Sequence, residues 1–535
     1  MLKNMAPEGF FFLLKFFNDL LSGREAVPTS WSEIVIFPLL KPDKDPNLYN
    51  SYRPIALTSC IKKVFEHLIK NRFQWWIKNK DLLPDNQFGF RGGRSTIDCV
   101  SIFVSAIQTG FMQRSATRAL FLDIESAYDR VLPDILYNDL IEMGIPQFLA
   151  SLIFNLTQEK HFIMRHSGVE ISRLSRLGLP QGSVLSPVLF NVYVRKIEDA
   201  LPIGVRFLQY ANDIVLFSTH KDQNLLEYRL SRAIESVYSW LSERGLSLNP
   251  GKCRDMIFAK RIPLFNSISL QGAPIPSVNT NKFLGIILDS KLLWNAHVPD
   301  MSSKCTKYLN ILKSLTGVRW GGDPKTLLYI YRALIRSRID YGLILINYFT
   351  LKNESRFNKI QFQALRVCLG AMRSSPTNAL QIEACEPPLR FRKHFLTDKF
   401  LLKNFSISNN PVIYHIEILR TSIYARGASA EKNDLVLAMN NLADVRCRIS
   451  VKNKLPIYSS DYFKCKIKIP HCFDLGIPRD PRLKTFNNSI FKEVTKKKWP
   501  DFTHIFTDGS VVPSVSTSYG VYSENLQINF SCNIQ

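Results

Sequence analysis

Phe207 to Phe217 sets two apolar, strand-prone runs around a short polar tip, Ala211-Asn212-Asp213. That pattern predicts a tight hairpin with a carboxylate at its turn. Ala119-Leu120-Phe121-Leu122-Asp123-Ile124 is a buried-strand pattern with one carboxylate near its end. Ile34 to Leu40 is an extended apolar run that stops at the polar turn Lys41-Pro42-Asp43-Lys44-Asp45-Pro46. In Tyr52-Arg53-Pro54-Ile55-Ala56-Leu57 the proline biases Arg53 towards an extended backbone. Met256-Ile257-Phe258 is a further strand, and Lys282 to Asp289 reads as another with Gly285 inside it.

Between these runs the periodicity is helical. Ile61 to Trp76 places Val64, Phe65, Leu68, Ile69 and Phe73 on one face, and Ala233 to Leu246 does the same with Ile234, Val237, Trp240 and Leu241. Ser186-Pro187 is a helix start, with serine expected at the cap and proline at the first helical position. Phe10, Leu13, Leu14, Phe17, Leu20 and Leu21 also keep helical spacing. Lys15 and Asp19 interrupt the run, which is too short to span a bilayer and lacks the flanks of a signal peptide. A docked amphipathic helix in an intracellular protein, nuclear or cytoplasmic and free of the membrane, is the expectation.

Composition adds a partner to this picture. The chain has 535 residues, 46% hydrophobic and 21% charged, which is globular and long enough for several domains. Lys and Arg number 69 against 45 Asp and Glu, a formal charge of +24 that favours a polyanion, nucleic acid before membrane. The ten cysteines form no Cys-x-x-Cys pair. Cys465 and Cys472 with His471 are the nearest cluster but lack a second ligand pair, so no zinc site is expected and the thiols read as free.

Three stretches carry candidate chemistry. A buried charge at Asp123 costs several kcal/mol unless a cation, a metal or hydrogen-bond donors meet it; a turn or helix cap before Glu125 to Asp129 is the plainer alternative. Gln87-Phe88-Gly89-Phe90-Arg91-Gly92-Gly93-Arg94-Ser95 is a glycine-arginine loop, suited to close approach to a phosphate chain or to an ordinary turn. Gly178-Leu179-Pro180-Gln181-Gly182-Ser183 leads into the helix at Ser186, and such a helix N-terminus suits phosphate as well as a plain connection.

Taken in order, these blocks resemble the reverse transcriptases of non-LTR retrotransposons, especially jockey-like and related insect-type elements. Tyr52-Arg53-Pro54-Ile55 is similar to the fingers motif and Gln87 to Arg91 to the family's second block. Leu122 to Asp129 resembles the first catalytic block, and Gly178 to Pro187 the block that grips nucleotide and template. Tyr210-Ala211-Asn212-Asp213 stands where the family has an aromatic, Ala, Asp, Asp; Gly245 to Asn249 with Lys252, then Phe283-Leu284-Gly285, complete the palm. Group II intron maturases and telomerases share the palm, but Phe90 to Ser95 and the spacing favour the insect elements.

The resemblance implies an α+β right-hand polymerase with fingers, palm and thumb, using Mg²⁺ (Mn²⁺ as substitute), dNTPs, an RNA template and a DNA primer or nicked target DNA. Asp123 and Asp213 would hold metal, with Lys252 as general acid; Arg53, Tyr128 and Gln181 would meet the nucleotide. Asn212 replaces a catalytic aspartate, so very low or absent activity is expected, and Asp129 is a conceivable substitute ligand with a structural usual role. A non-catalytic nucleic-acid-binding remnant and decayed coding sequence are the rival readings.

The expected domains are 1–30, an N-terminal helix and lead-in; 31–290, fingers and palm; 291–375, a basic helical thumb; 376–495, a connection region; and 500–535, the truncated start of a ribonuclease H-like fold with Asp508 as its first carboxylate. The thumb expectation rests on the stretch Ser302 to Ser375, where Lys304, Lys307, Lys313, Arg319, Lys325, Arg332, Arg336, Arg338, Lys352, Arg356, Lys359, Arg366 and Arg373 are faced only by Asp323, Asp340 and Glu354. Truncation at both ends, with no preceding endonuclease and no working nuclease, completes the expectation.

Overall fold

The computed structural model describes residues 5–449 except 43, 167, 262–264, 318–319, 347–350, 431–432 and 447–448, together with 493, 497, 506–512, 516–523 and 528–534. The Cys465, His471 and Cys472 cluster and the Ile477 to Pro481 stretch lie outside the described residues. Two compact units emerge: Gly23–Phe463, and Met1–Ser22 with Lys464–Gln535.

In the smaller unit, α1 (Pro7–Leu21) has proline in its first turn and buries Phe17 and Leu20, while Phe10, Phe11 and Phe12 stay exposed. Three antiparallel strands, Phe506–Val512, Ser516–Ser523 and Ile528–Ile534, follow one another in a meander, with Asp508 opposite Gly520.

The larger unit opens with β1 (Glu33–Leu40) and β2 (Tyr52–Leu57), then α2 (Cys60–Lys80) and α3 (Thr96–Met112). β3 (Ala116–Glu125) follows, then α4 (Pro133–Glu142), α5 (Gln147–Gln158), β4 (Lys160–His166), β5 (Val169–Ser175) and α6 (Ser186–Tyr193). β6 (Arg206–Tyr210), β7 (Asp213–His220), α7 (Gln223–Glu243), β8 (Ser247–Leu248) and β9 (Arg254–Phe258) complete the region. Two sheets result. One has the order β2-β1-β4-β5; in the other β6, β7 and β3 lie side by side, with β8 and β9 both pairing the far edge of β3.

The absence of alternation along β3 and β7 has a simple cause. Both strands are buried nearly end to end, so they read as continuous apolar runs rather than as strict alternation. Beneath them Phe103 of α3 is the hub, edge-on to Phe121, Phe217 and Phe258 at centroid distances of 5.9, 5.2 and 5.6 Å. Such edge-to-face contacts add about 0.5–1.5 kcal/mol each beyond area burial.

Two local expectations change. Lys282 to Asp289 is not one strand but a hairpin, Thr280–Phe283 against Ile286–Asp289, with Leu284 (φ 47°) and Gly285 (φ 85°) both left-handed at the turn. That is the two-residue turn that follows the natural strand twist, and glycine belongs to the turn. Ser186 begins α6, but its hydroxyl donates to Pro180 O (2.9 Å) rather than capping the helix.

After that hairpin, α8 (His297–Ser314), α9 (Pro324–Tyr331), α10 (Ser337–Asp340), α11 (Leu351–Leu369), α12 (Thr377–Glu383), α13 (Leu389–Phe405), α14 (Pro411–Ala425) and α15 (Asp434–Asn441) share one hydrophobic core with α3. α14 lies along α3. The N-cap of α3 is tied to α13 through buried Asp98, which accepts from Ser95 N (2.6 Å), Ser95 Oγ (2.7 Å), Lys403 Nζ (3.1 Å) and Asn404 Nδ2 (3.3 Å). Helices α13 and α14 therefore brace α3.

Candidate active site

The two carboxylates meet because of strand register. β3 and β7 are antiparallel with Asp123 directly opposite Asp213. Opposed residues in such a pair have Cβ atoms roughly 5 Å apart, so both side chains serve one small volume. Tyr210 pairs with Asp213 across a two-residue turn of Ala211 and Asn212, and Ala211 takes a left-handed φ of 57°. Asn212 is thus held at the tip beside Asp213.

What fixes that tip lies in the Gln87 to Arg91 block. Phe88 N donates to Gln209 O (2.8 Å) and Gln209 N to Asn86 O (2.9 Å), so the block is joined to β6 by a single parallel bridge at Gln87. A Cβ on Gly89 would sit 2.4 Å from Ala211 N, which makes glycine obligatory there. Three buried carboxamides finish the clamp. Gln87 Nε2 donates to Gln209 Oε1 (3.0 Å) and Asn191 O (3.2 Å), Gln209 Nε2 to Ala211 O (2.8 Å), and Asn191 Nδ2 to Gly89 O (2.6 Å). The sequence placed Gln87 in a candidate loop but did not single out Asn191 or Gln209. A polar residue inside an otherwise apolar strand, as Gln209 is, was the available signal. The arginines of the same loop fold back on it: Arg91 Nη1 donates to Gln87 O (3.2 Å) and Arg94 pairs with Asp85.

The charges are unevenly placed. Asp213 reaches solvent but is closely surrounded by protein, and this crowding first, then the facing Asp123 charge, raises its carboxyl above 3.8. Asp123 has a counter-charge: Lys252 Nζ donates to its Oδ2 at 3.2 Å. The expected general acid therefore stands on an expected metal-ligand carboxylate. Both ends of that pair are partly exposed, so it is a weak contact that a cation can displace.

The remaining expected residues gather on the Gly178 to Ser183 loop. Leu179 N donates to Tyr128 O (2.7 Å) and Gly178 N to Val131 O (2.8 Å). A Cβ on Gly178 would lie 2.6 Å from Asp129 O. Tyr128 stacks on buried Phe190 at 5.1 Å, and burial pushes its hydroxyl up to about 12, so it stays a neutral surface. Asp129 hydrogen-bonds Gln181; burial nonetheless raises its carboxyl. Ala56 N of β2 donates to Gln181 O (2.8 Å), and Arg53 stands exposed on the same strand. Asp508 belongs to the other unit.

Among the described residues no three His, Cys, Asp or Glu side chains converge as a metal cage. Two facing carboxylates nevertheless fit Mg²⁺, which typically takes one or two protein carboxylates and completes its shell with water and substrate phosphates. No helix among the described residues is long and apolar enough to cross a membrane.

A protein named "Probable RNA-directed DNA polymerase from transposon BS" of Drosophila melanogaster is 27% identical over 68% of this chain and 41% of its own length. The RNA-directed DNA polymerase from mobile element jockey of the same organism is 26% identical over 73% of this chain and 43% of its own. The chain thus spans about two fifths of the length of these curated relatives. Apo telomerase from Candida tropicalis superposes with a TM-score of 0.40 and 10% identity over 82% of this chain and 74% of that one. Residues 40–288 match the reverse transcriptase (RNA-dependent DNA polymerase) family, and over most of its length the chain is similar to the RNA-directed DNA polymerases of insect mobile elements.

Proposed function

We propose that the fingers and palm carry out RNA-templated DNA synthesis by nucleotidyl transfer, at a rate greatly lowered by Asn212. The observation that carries this is the register that sets Asp123 opposite Asp213 at the end of a clamped hairpin. Bound divalent metal, Mg²⁺ or Mn²⁺, would supply activation of the primer 3′-hydroxyl and stabilisation of the departing pyrophosphate. Asp123 and Asp213 would hold it. Gln181, positioned by Asp129 and β2, would contact the incoming dNTP, and the flat face of Tyr128 on Phe190 would crowd a ribose 2′-hydroxyl. Arg53 would meet the triphosphate. Lys252, once released from Asp123, would deliver a proton to the leaving pyrophosphate.

Asparagine at 212 preserves shape but loses a negative charge, and its amide nitrogen donates where a carboxylate accepts. A loss of about 2 kcal/mol of transition-state stabilisation is expected, each ~1.4 kcal/mol being tenfold in rate. The test is primer extension on an RNA template with Mg²⁺ and with Mn²⁺, comparing the chain with Asn212→Asp. Equal extension by the two proteins overturns the account of position 212. A second reading, a polymerase hand that binds template and primer without chemistry, is favoured by Asn212 together with the Lys252–Asp123 pair. Tight, salt-sensitive binding with no extension by either protein would select it.

A further inference from the structure

A buried carboxylate outside the metal site requires explanation. Glu66 lies on α2 with 2% of its surface exposed. Burial of an ionised group costs several kcal/mol unless hydrogen bonds meet it, and an apolar residue there would be cheaper. Its Oε2 accepts from Ser183 Oγ (2.9 Å) and from Val184 N (2.8 Å), 117 and 118 residues away in sequence. One turn earlier on the helix, buried Lys62 donates to Trp31 O (2.9 Å) and Leu156 O (3.5 Å) and provides the opposite charge.

The other bonds of the same loop show what Glu66 holds. Gln181 O accepts from Ala56 N at 2.8 Å on the loop's outer side. Gly182 has φ 148°, and a Cβ there would lie 2.2 Å from Ala56 O, so the loop is pressed against β2 without slack. Ser183 Oγ also accepts from Leu185 N (3.2 Å), joining the Glu66 contact to the start of α6. Between the β2 anchor and the Glu66 anchor the Gln181 side chain is left pointing to Asp129.

We infer that Glu66 is a positioning residue: through Ser183 and Val184 it sets where Gln181 meets the incoming nucleotide, and so governs nucleotide affinity rather than the chemical step. This rests on the polymerase reading of the loop. Lys62 and Glu66 form the fixed end of the tether, and Ser183 is the link that transmits it.

The experiment uses the full chain carrying Asn212→Asp as parent, with steady-state incorporation of one dNTP on an RNA template. Glu66→Gln raises KM for dNTP about tenfold, the scale of a lost charge-assisted hydrogen bond, and leaves kcat within about twofold. Ser183→Ala raises KM less, because Val184 N remains bonded, and the double variant is no worse than Glu66→Gln alone. Unchanged KM in both single variants overturns the inference. So does a parallel fall of kcat, template affinity and melting temperature, which would make Glu66 a support of the fold only. Where Glu66→Gln fails to fold, Ser183→Ala decides. A parent that extends no primer overturns the polymerase reading instead. The tether is then judged by hydrogen exchange at the Val184 amide: faster in Ser183→Ala and Glu66→Gln with β3 amides unchanged supports it, and no change sinks it.

Discussion

Asn212→Asp is the sharpest perturbation available, because its effect should reverse sign with the metal. The substitution adds a carboxylate at the tip that already places Asp213 opposite Asp123. Unit charges 5 Å apart interact by about 3 kcal/mol at an effective dielectric of about 20. Without a cation, the new charge therefore meets about 6 kcal/mol of repulsion from the two existing carboxylates. A divalent cation at 4 Å attracts that same charge by about 8 kcal/mol on the same scale. Asp123 is one-third exposed and paired with Lys252, so solvent and counter-charge reduce all three figures, but not their signs. The net gain with metal is about 2 kcal/mol, roughly thirtyfold in rate if it appears in the transition state. Thermal unfolding in EDTA and in millimolar Mg²⁺, run beside primer extension, reads both sides. The variant should melt lower than the unmodified protein in EDTA and gain more from Mg²⁺. Identical melting shifts in the two media would refute the argument that the tip gathers charge around one cation.

Other substitutions test the supports around that tip. Gly89→Ala places a methyl group 2.4 Å from Ala211 N; overpacking of this kind costs about 1–3 kcal/mol and should displace the hairpin, seen as a lower melting temperature and lost extension even in the Asn212→Asp background. Asp213→Asn should raise the metal-free melting temperature at pH 7. The raised carboxyl holds its proton to higher pH in the folded state than in the unfolded one, so stability falls as pH rises from 3.8 through the folded value, and the variant's advantage should vanish in acid. Lys160, held at about 8 by burial first and by Lys62 second, carries the opposite sign. The unfolded chain binds the proton up to 10.5, so stability rises between about 8 and 10.5, and Lys160→Met should stabilise at pH 7 and lose that advantage by pH 10.5. In the proposed thumb, Lys307→Ala should lower the salt slope of RNA binding by about one, whereas Arg332→Ala should lower stability and leave the slope alone.

That last contrast shows where sequence reading stops. Apolar runs located β3 and β7, and the two-residue tip between Tyr210 and Asp213 was legible because turn and strand signals agreed at one place. The register of Asp123 with Asp213 was carried only by resemblance, since nothing local relates two strands that far apart in the chain. Glu66 and Gln209 were visible as polar residues on faces otherwise apolar, but their partners come from distant loops. Charge was the least local property. Of the thumb cations, Arg332 and Arg336 both bond buried Glu386, Lys304 pairs with Asp300, Arg338 donates to Tyr308 Oη (2.6 Å) and Arg366 to Ser375 O (3.2 Å). Glu386 lies in the expected connection region, beyond the stretch over which the thumb's charge was counted. Lys307, Lys313, Lys325, Lys352, Lys359 and Arg373 remain exposed. A surplus counted along the chain is therefore an upper bound on the charge a phosphate backbone can meet, because an arginine that already serves a buried carboxylate releases no counterion when the duplex arrives.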